Sequence, residues 1–465
     1  MSTPAVDKHY SLIIIGTGSG NSIPTPEFDD QSIAIIEEGI FGGTCLNVGC
    51  IPTKMYVHAA DVAFDIAEGQ KLGIHGGVDR VDWQHIVDRV FRNRIDLIAK
   101  GGEDYRRGPE TPNIDVYDHH AVFVGPKTLK TGVGSEEKII SGDAIVIAAG
   151  SRPQILDVIA NSGVTYHTNE DIMRLEQQPE SLIIVGGGYI ALEFAHVFDA
   201  LGTKVSLVNR SEKLLRSLDH DVCTRLNDIV QQRYDTHTGV DIQSAENTDH
   251  GVKLSLSDGT ELNADALLVA TGRIPNGDLL DADKAGIELA EDGRRIKVDE
   301  FGRTSAPGVW AFGDISSPYL LKHVANAEMR AVRHNLLHPD DLQPMPHKHV
   351  PAAIFTHPQV AYVGLTEQQA QDQGYELTVK IQNYGDVAYG WALEDTTGFV
   401  KLIADKKTRK LLGAHLIGPQ ASTLIQQLIT VMAFDLDVSE VATQQYWIHP
   451  ALPEVIENAL LGLEF

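Results

Sequence analysis

Cysteine is scarce in this chain: three residues among 465, at positions 45, 50 and 223. So few exclude a structural disulfide framework, and in a reducing compartment a close pair is catalytic or metal-binding rather than a staple. Zinc is the weaker of those two, because a zinc site wants three or four protein ligands and no His or acidic residue lies between Cys45 and Cys50. No metal is expected. Long apolar runs are absent as well. Leu12 to Ile15 is only a few residues long and leads into glycines, too short for a signal peptide, and no stretch is long enough to cross a bilayer. The chain therefore reads as cytoplasmic, without a membrane partner. Positive charge is short: 38 Lys plus Arg stand against 64 Asp plus Glu. That balance repels phosphate backbones and argues against nucleic acid as a partner. From Ser11 through Thr53 there is no Lys or Arg at all.

What the chain does have is length for several domains and one design used twice, an apolar strand followed by a glycine turn. The first copy is SLIIIGTGSGN, residues 11 to 21, and the second is SLIIVGGGYIALEFA, residues 181 to 195. Gly16 and Gly18 stand where a dinucleotide pyrophosphate approaches bare backbone, and Glu37, at the end of the next strand, stands where a carboxylate binds ribose hydroxyls. A glycine turn alone is weak evidence; its conjunction with Glu37 strengthens it. The third fingerprint position holds Asn21, and Pro24 and Pro26 follow. Any helix there is predicted to be short or irregular.

In the second copy Gly186, Gly188 and Ala191 occupy the fingerprint, and a plain helix follows. Its second strand ends at Asn209, where an NAD site usually carries an acid, and Arg210 and Arg216 come next. One arginine there reads as solvated surface; two without the acid favour a ribose bearing a 2′-phosphate, hence NADPH. Two such units imply two dinucleotides. ALLVATGRIPN and GVWAFGDIS read as further strands with glycine turns, and beyond Pro351 strand-like and helix-like segments alternate as in a separate domain.

GGTCLNVGCIPTK, residues 42 to 54, carries both close cysteines at the start of a predicted helix. A helix N-terminus and a cation such as Lys54 stabilise a thiolate, the attacking species in disulfide exchange, and a second cysteine can resolve the mixed disulfide. Without the flanking glycines, Pro52 and Lys54, two buried small hydrophobes would be the better reading.

This string, with both glycine motifs and GVWAFGDIS in the same order, resembles the pyridine nucleotide disulfide oxidoreductases, the family of glutathione reductase and lipoamide dehydrogenase, over essentially the whole chain. The resemblance implies an α/β fold of two dinucleotide-binding Rossmann-like domains plus a C-terminal α+β dimerisation domain. Residues 1–152 and 275–345 would bind FAD, 153–274 NADPH, and 346–465 would form the interface. It implies Cys50 as the thiolate beside the flavin and Cys45 as the interchange thiol. Lys54 and Glu193 would be an ion pair at the flavin edge, Tyr189 the lid over the nicotinamide pocket, Arg273 a cofactor-side arginine and Asp314 the ribitol contact, with Ile190, Gly272 and Gly313 as further cofactor-binding residues. Gly20, Gly43, Thr44, Gly150 and Ala325 would add FAD contacts. His449, before Pro450, and Glu454 match the family's acid/base pair, which works on Cys45 of the other subunit and so implies a homodimer. A lone His-Pro is usually nothing, and the chain has 19 histidines with another His-Pro at His357.

Oxidised glutathione is polyanionic, and the segment without basic residues instead carries Glu27, Asp29 and Asp30, which disfavour carboxylates if they face the site. Lipoamide dehydrogenases use NAD, and mercuric and large thioredoxin reductases carry a further C-terminal redox pair, whereas this chain ends NALLGLEF. The GTGSGNS turn resembles the branch of the family that reduces mycothione, the disulfide of an uncharged pseudodisaccharide thiol. A dihydrolipoamide dehydrogenase, or another disulfide reductase of the same family, stays open as the alternative. A different class, a flavoprotein redox sensor or assembly subunit with a regulatory cysteine pair, would need neither the nicotinamide site nor His449 and Glu454.

Overall fold

The apolar run ahead of the first glycine turn forms the middle of a seven-stranded sheet in the computed structural model, which describes residues 5–465. Lys8–Ile15 lies parallel between Ile33–Ile36 and Lys138–Ile147, with Ile13 opposite Ala34 on one side and Ile145 on the other. Ile114–Tyr117 extends one edge, Val309–Ala311 pairs in parallel with Lys138–Ile147, and the antiparallel strands Thr128–Thr131 and Ala121–Gly125 close the other. Strands buried on both faces need continuous apolar sequence, and all four residues of Ile33–Ile36 are buried. Strand order reverses beside Lys8–Ile15, which opens a crevice at its carboxyl end.

A second, four-stranded parallel sheet runs Asp235–Thr238, Lys204–Asn209, Ser181–Val185, Ala266–Val269. It repeats the reversal beside Ser181–Val185, and the helix Tyr189–Ala200 follows that strand as the periodicity predicted. A three-stranded antiparallel sheet, Ile242–Thr248, Gly251–Leu256 and Glu261–Ala264, stands apart from it in pairing. The chain leaves the first sheet through Ser151–Pro153 and returns through Arg273–Pro275, and these two segments pair antiparallel.

Beyond residue 350 a five-stranded antiparallel sheet forms around Phe399–Asp405, buried along its whole length. Ala421–Ala433 and Glu454–Leu461 supply the apolar side chains packed with it. Lys401 lies inside this strand, 1% exposed, and is tolerated there because three carboxylates meet it: Asp219 at 2.9 Å, Asp221 at 2.6 Å and Glu367 at 2.7 Å. Asp219 also caps the helix His220–Arg233, so the cluster ties the second sheet's layer to the C-terminal sheet. Among the described residues no helix is long and apolar enough to cross a membrane.

Candidate functional site

Each glycine turn is built on one forced glycine and one free glycine. Gly16 has φ +101°, and a Cβ there would lie 2.4 Å from the Ala148 carbonyl oxygen; Gly186 has φ +135°, and its Cβ would lie 2.2 Å from that of Ala270. Strand crossing dictates these two. At Gly18 the nearest atom to an added Cβ is Gly43 Cα at 4.0 Å, and at Gly188 nothing lies within 4 Å. Nothing in the chain itself demands glycine at these second positions; a ligand resting on bare backbone does, as a dinucleotide pyrophosphate would. Glu37 completes the first turn, accepting from Thr17 N at 3.0 Å and Thr17 Oγ1 at 2.5 Å.

The segment after Gly18 folds into two 3₁₀ turns, Gly20–Ser22 and Pro26–Phe28, as its prolines predicted. A Cβ on Gly20 would come within 3.0 Å of Ile14 Cγ2 and 3.1 Å of Ala148 Cβ, so Gly20 provides close packing one position before Asn21. Two expectations about this segment need correction. Glu27, Asp29 and Asp30 are exposed and do not line the cysteine cavity, so they do not set its charge. Nor is the segment free of positive charge in space, because Lys322 donates to Ser19 Oγ at 2.8 Å and Arg106 to Asn21 Oδ1 at 2.7 Å.

From this turn a cavity of about 1320 Å³ runs to the cysteines. Gly16, Gly18, Glu37, Gly43 and Thr44 line it. So do Cys45, Cys50, Lys54, Tyr189, Ile190 and Glu193. Gly150, Arg273, Gly313, Asp314 and Ala325 complete this part of the lining. The first turn and the Cys45 segment are locked together, since a Cβ on Gly43 would meet Gly18 Cα at 2.7 Å.

The single predicted helix across the cysteines is two. Cys45 lies in Gly43–Asn47, Cys50 opens Cys50–Glu68, and the chain breaks between them at Val48 and Gly49. A Cβ on Gly49 would sit 2.8 Å from the Thr44 carbonyl oxygen, so the break packs too tightly for a side chain. Cys50, at the helix start, is lowered to about 7, first by the Cys45 thiol donating to it, then by the Lys54 ammonium, against the opposing effect of burial. Cys45 is raised, by that same hydrogen bond and by burial. Cys50 therefore ionises first. In reduced protein, alkylation of Cys50 by iodoacetamide is expected to rise with pH around a midpoint near 7. Lys54→Met should move that midpoint upward, as rates measured across pH on the alkylated peptide would show.

Lys54 Nζ reaches Glu193 Oε2 at 2.5 Å and sits 4.5 Å from the Phe355 ring centroid, while Glu193 Oε1 accepts from Phe355 N at 3.0 Å. Tyr189, 37% exposed, begins the helix that carries Glu193. Arg273 donates to Ser151 Oγ at 2.8 Å and Asn169 Oδ1 at 3.2 Å, and Ser151 Oγ donates to Asp314 at 2.6 Å. Burial raises the Asp314 carboxyl. Sequence reasoning missed Ser151, Lys322 and Glu328. Buried Glu328 accepts from Gly313 N at 2.8 Å and pairs with His347 at 2.5 Å. A polar residue one helical face from a glycine turn was the only available signal.

The remaining candidates lie outside this cavity. Gly186, Gly188 and Gly272 follow the carboxyl ends of strands of the second sheet, where Asn209 donates to the Ser211 carbonyl at 2.7 Å. Arg210 and Arg216 are exposed, and neither is in an ion pair among the described residues. His449 is 70% exposed, with Nδ1 2.6 Å from Glu454 Oε1, and neither residue lines the cavity of its own chain. The other His-Pro is different: half-buried His357 packs at a tilt against Phe64, ring centroids 3.9 Å apart, and is lowered to about 4, first by burial. Cys223 is buried core.

Comparison with known proteins agrees with this architecture. Residues 10–331 match the description "Pyridine nucleotide-disulphide oxidoreductase", and residues 350–460 match its dimerisation domain. The chain is 55% identical to mycothione reductase of Mycobacterium tuberculosis, over 98% of this chain and 99% of that protein. It is 30% identical to glutathione reductase of Burkholderia cepacia, over 96% and 97% respectively. Among solved structures, the HOCl-induced flavoprotein disulfide reductase RclA from Escherichia coli superposes with a TM-score of 0.86 at 27% identity, covering 98% of this chain and 100% of that one. With both halves matched in order and the cysteines gathered in one cavity, the chain belongs to the pyridine nucleotide-disulphide oxidoreductases.

Proposed function

We propose that the chain reduces mycothione to mycothiol with NADPH, through FAD and the Cys45 and Cys50 pair. The observation that carries the substrate is the 55% identity, end to end, with a mycothione reductase. We divide the chain at residues 152, 274 and 345, with FAD-binding parts on either side of an NADPH-binding domain; the ladder of Ser151–Pro153 with Arg273–Pro275 supports the first two boundaries. The match to a dimerisation domain supports a homodimer. Three cysteines, too few for a structural disulfide framework, suit the cytoplasm.

A flavin held in this cavity would supply the relay of reducing equivalents from NADPH to the cysteine pair. Gly16, Gly18 and Glu37 would hold its adenine dinucleotide end, Ser151 and Arg273 would keep Asp314 in place along the cavity wall, and Lys54 and Glu193 would meet it beside Cys50. In the reduced enzyme Cys50 is the thiolate, held by the helix start, Lys54 and the Cys45 thiol. His449 of the partner subunit takes the Cys45 proton, its ring oriented by Glu454. Cys45 attacks one sulfur of the substrate disulfide; the other leaves as a thiolate and receives that proton from His449. Cys50 then attacks Cys45 sulfur, forming the Cys45 to Cys50 disulfide and releasing the second product as a thiolate, which takes its proton from solvent.

Turnover of NADPH and NADH against mycothione, lipoamide and oxidised glutathione in parallel tests this assignment. Mycothione with NADPH is expected to be fastest; brisk lipoamide reduction with NADH would overturn it. A redox sensor would turn over none of them. Arg210 and Arg216, exposed and without an ion pair among the described residues, suit a 2′-phosphate. Changing both to Ala is expected to raise the KM for NADPH about tenfold while leaving that for NADH nearly unchanged. Equal effects on both cofactors would remove them from that role.

A further inference from the structure

The two nucleotide-binding turns differ in what stands behind them. Behind Gly186 and Gly188 runs the 12-residue helix Tyr189–Ala200, which presents free N–H groups and the positive end of its dipole. Behind Gly16 and Gly18 there is only the 3-residue turn Gly20–Ser22. So few aligned peptides carry little of a helix dipole, and Pro24 and Pro26 prevent a longer helix. A pyrophosphate resting on Gly18 would therefore lack the charge complement that the second unit offers, in a chain of net charge −26.

Two cations reach this turn from distant parts of the chain. Lys322, the first residue of the helix Lys322–Leu337, donates to Ser19 Oγ at 2.8 Å, and Ser19 Oγ donates to Asn326 Oδ1 at 2.9 Å. Arg106, 8% exposed, donates Nε to Asn21 Oδ1 at 2.7 Å and a terminal nitrogen to the carbonyls of Asn21 at 2.7 Å and Pro24 at 3.4 Å. Neither cation is in an ion pair among the described residues, in a chain that makes many others. A guanidinium this buried without a carboxylate is costly unless an anion comes near it. Lys322 and Ser19 line the cavity directly; Arg106 lies behind the turn, where low dielectric lets its charge act through the intervening backbone.

We propose that Lys322 and Arg106 together supply the positive charge for the dinucleotide pyrophosphate at the first glycine turn, in place of the helix N-terminus that this chain lacks. The inference rests on the reading that this cavity holds FAD. It makes Lys322 a contact residue and Arg106 a positioning residue for the cofactor.

Release of FAD from the purified holoenzyme, followed as the rise in free flavin fluorescence at low and high salt, tests it with Lys322→Met, Arg106→Met, Lys322→Arg and Arg106→Lys. Each methionine variant is expected to release FAD about tenfold faster at low salt, with a smaller difference at high salt, and the charge-keeping variants to recover most of the loss. Should Arg106→Met fail to fold, the half-buried Lys322 variants carry the test alone. Release at the wild-type rate would overturn the proposal, as would faster release that salt leaves unchanged and the charge-keeping variants do not recover. Wild-type protein that purifies without FAD would instead defeat the reading of the cavity.

Discussion

Cys45→Ser is expected to keep FAD and accept reducing equivalents from NADPH while losing disulfide turnover by about a thousandfold or more. The variant removes the sulfur that attacks substrate but leaves a hydroxyl able to donate to Cys50, whose thiolate depends first on the Cys45 hydrogen bond and then on Lys54. Cofactor binding should survive, because Gly43 and its packing against Gly18 lie two residues upstream of the substitution. Steady-state NADPH oxidation with mycothione, paired with the flavin absorption of the same sample, separates the two effects. A variant with full turnover would take Cys45 out of the proposed chemistry.

His449→Ala should lower turnover about a hundredfold or more, the usual weight of a general acid/base, without changing FAD content. The sharper test is assembly. His449 and Glu454 are paired at 2.6 Å yet line nothing near their own chain's cysteines. Coexpressing Cys45→Ser with His449→Ala gives mixed dimers. If His449 serves the partner's Cys45, each mixed dimer has one site with both groups intact, and random assortment recovers roughly a quarter of wild-type activity. If His449 serves its own chain, no mixed dimer has a complete site and nothing is recovered. Activity of the mixture against that of each variant alone decides between them.

Most of the frame was legible because its signals are local. Leu12 to Ile15 and Ser181 to Val185 are apolar runs ending in glycine, and a run buried on both faces followed by a forced turn can hardly be anything but a parallel strand and its loop. The cysteine pair was legible for the same reason: two sulfurs close along the chain beside a helix start need no long-range information. The shortness of any helix after Gly18 followed from Pro24 and Pro26 alone. The break between Cys45 and Cys50 did not, because it depends on how tightly Gly49 passes the Thr44 carbonyl.

The inference about substrate charge shows where local reading stops. A stretch without Lys or Arg looked devoid of positive charge, yet Arg106 reaches Asn21 from 85 residues away and Lys322 reaches Ser19 from 303. Glu27, Asp29 and Asp30 in the same stretch face solvent instead of the cavity.

By itself, then, the sequence determined the alternation of strands and turns, the two nucleotide-binding units and the reactive pair, since each follows from residues within a few positions of one another. Only the tertiary structure decided the electrostatics around them: Lys54 against Glu193 across 139 residues, Ser151 against Asp314 across 163, and the two cations at the first turn. Charge acts through space rather than along the chain, and closing those long loops is the work of the folded core, not of any local propensity.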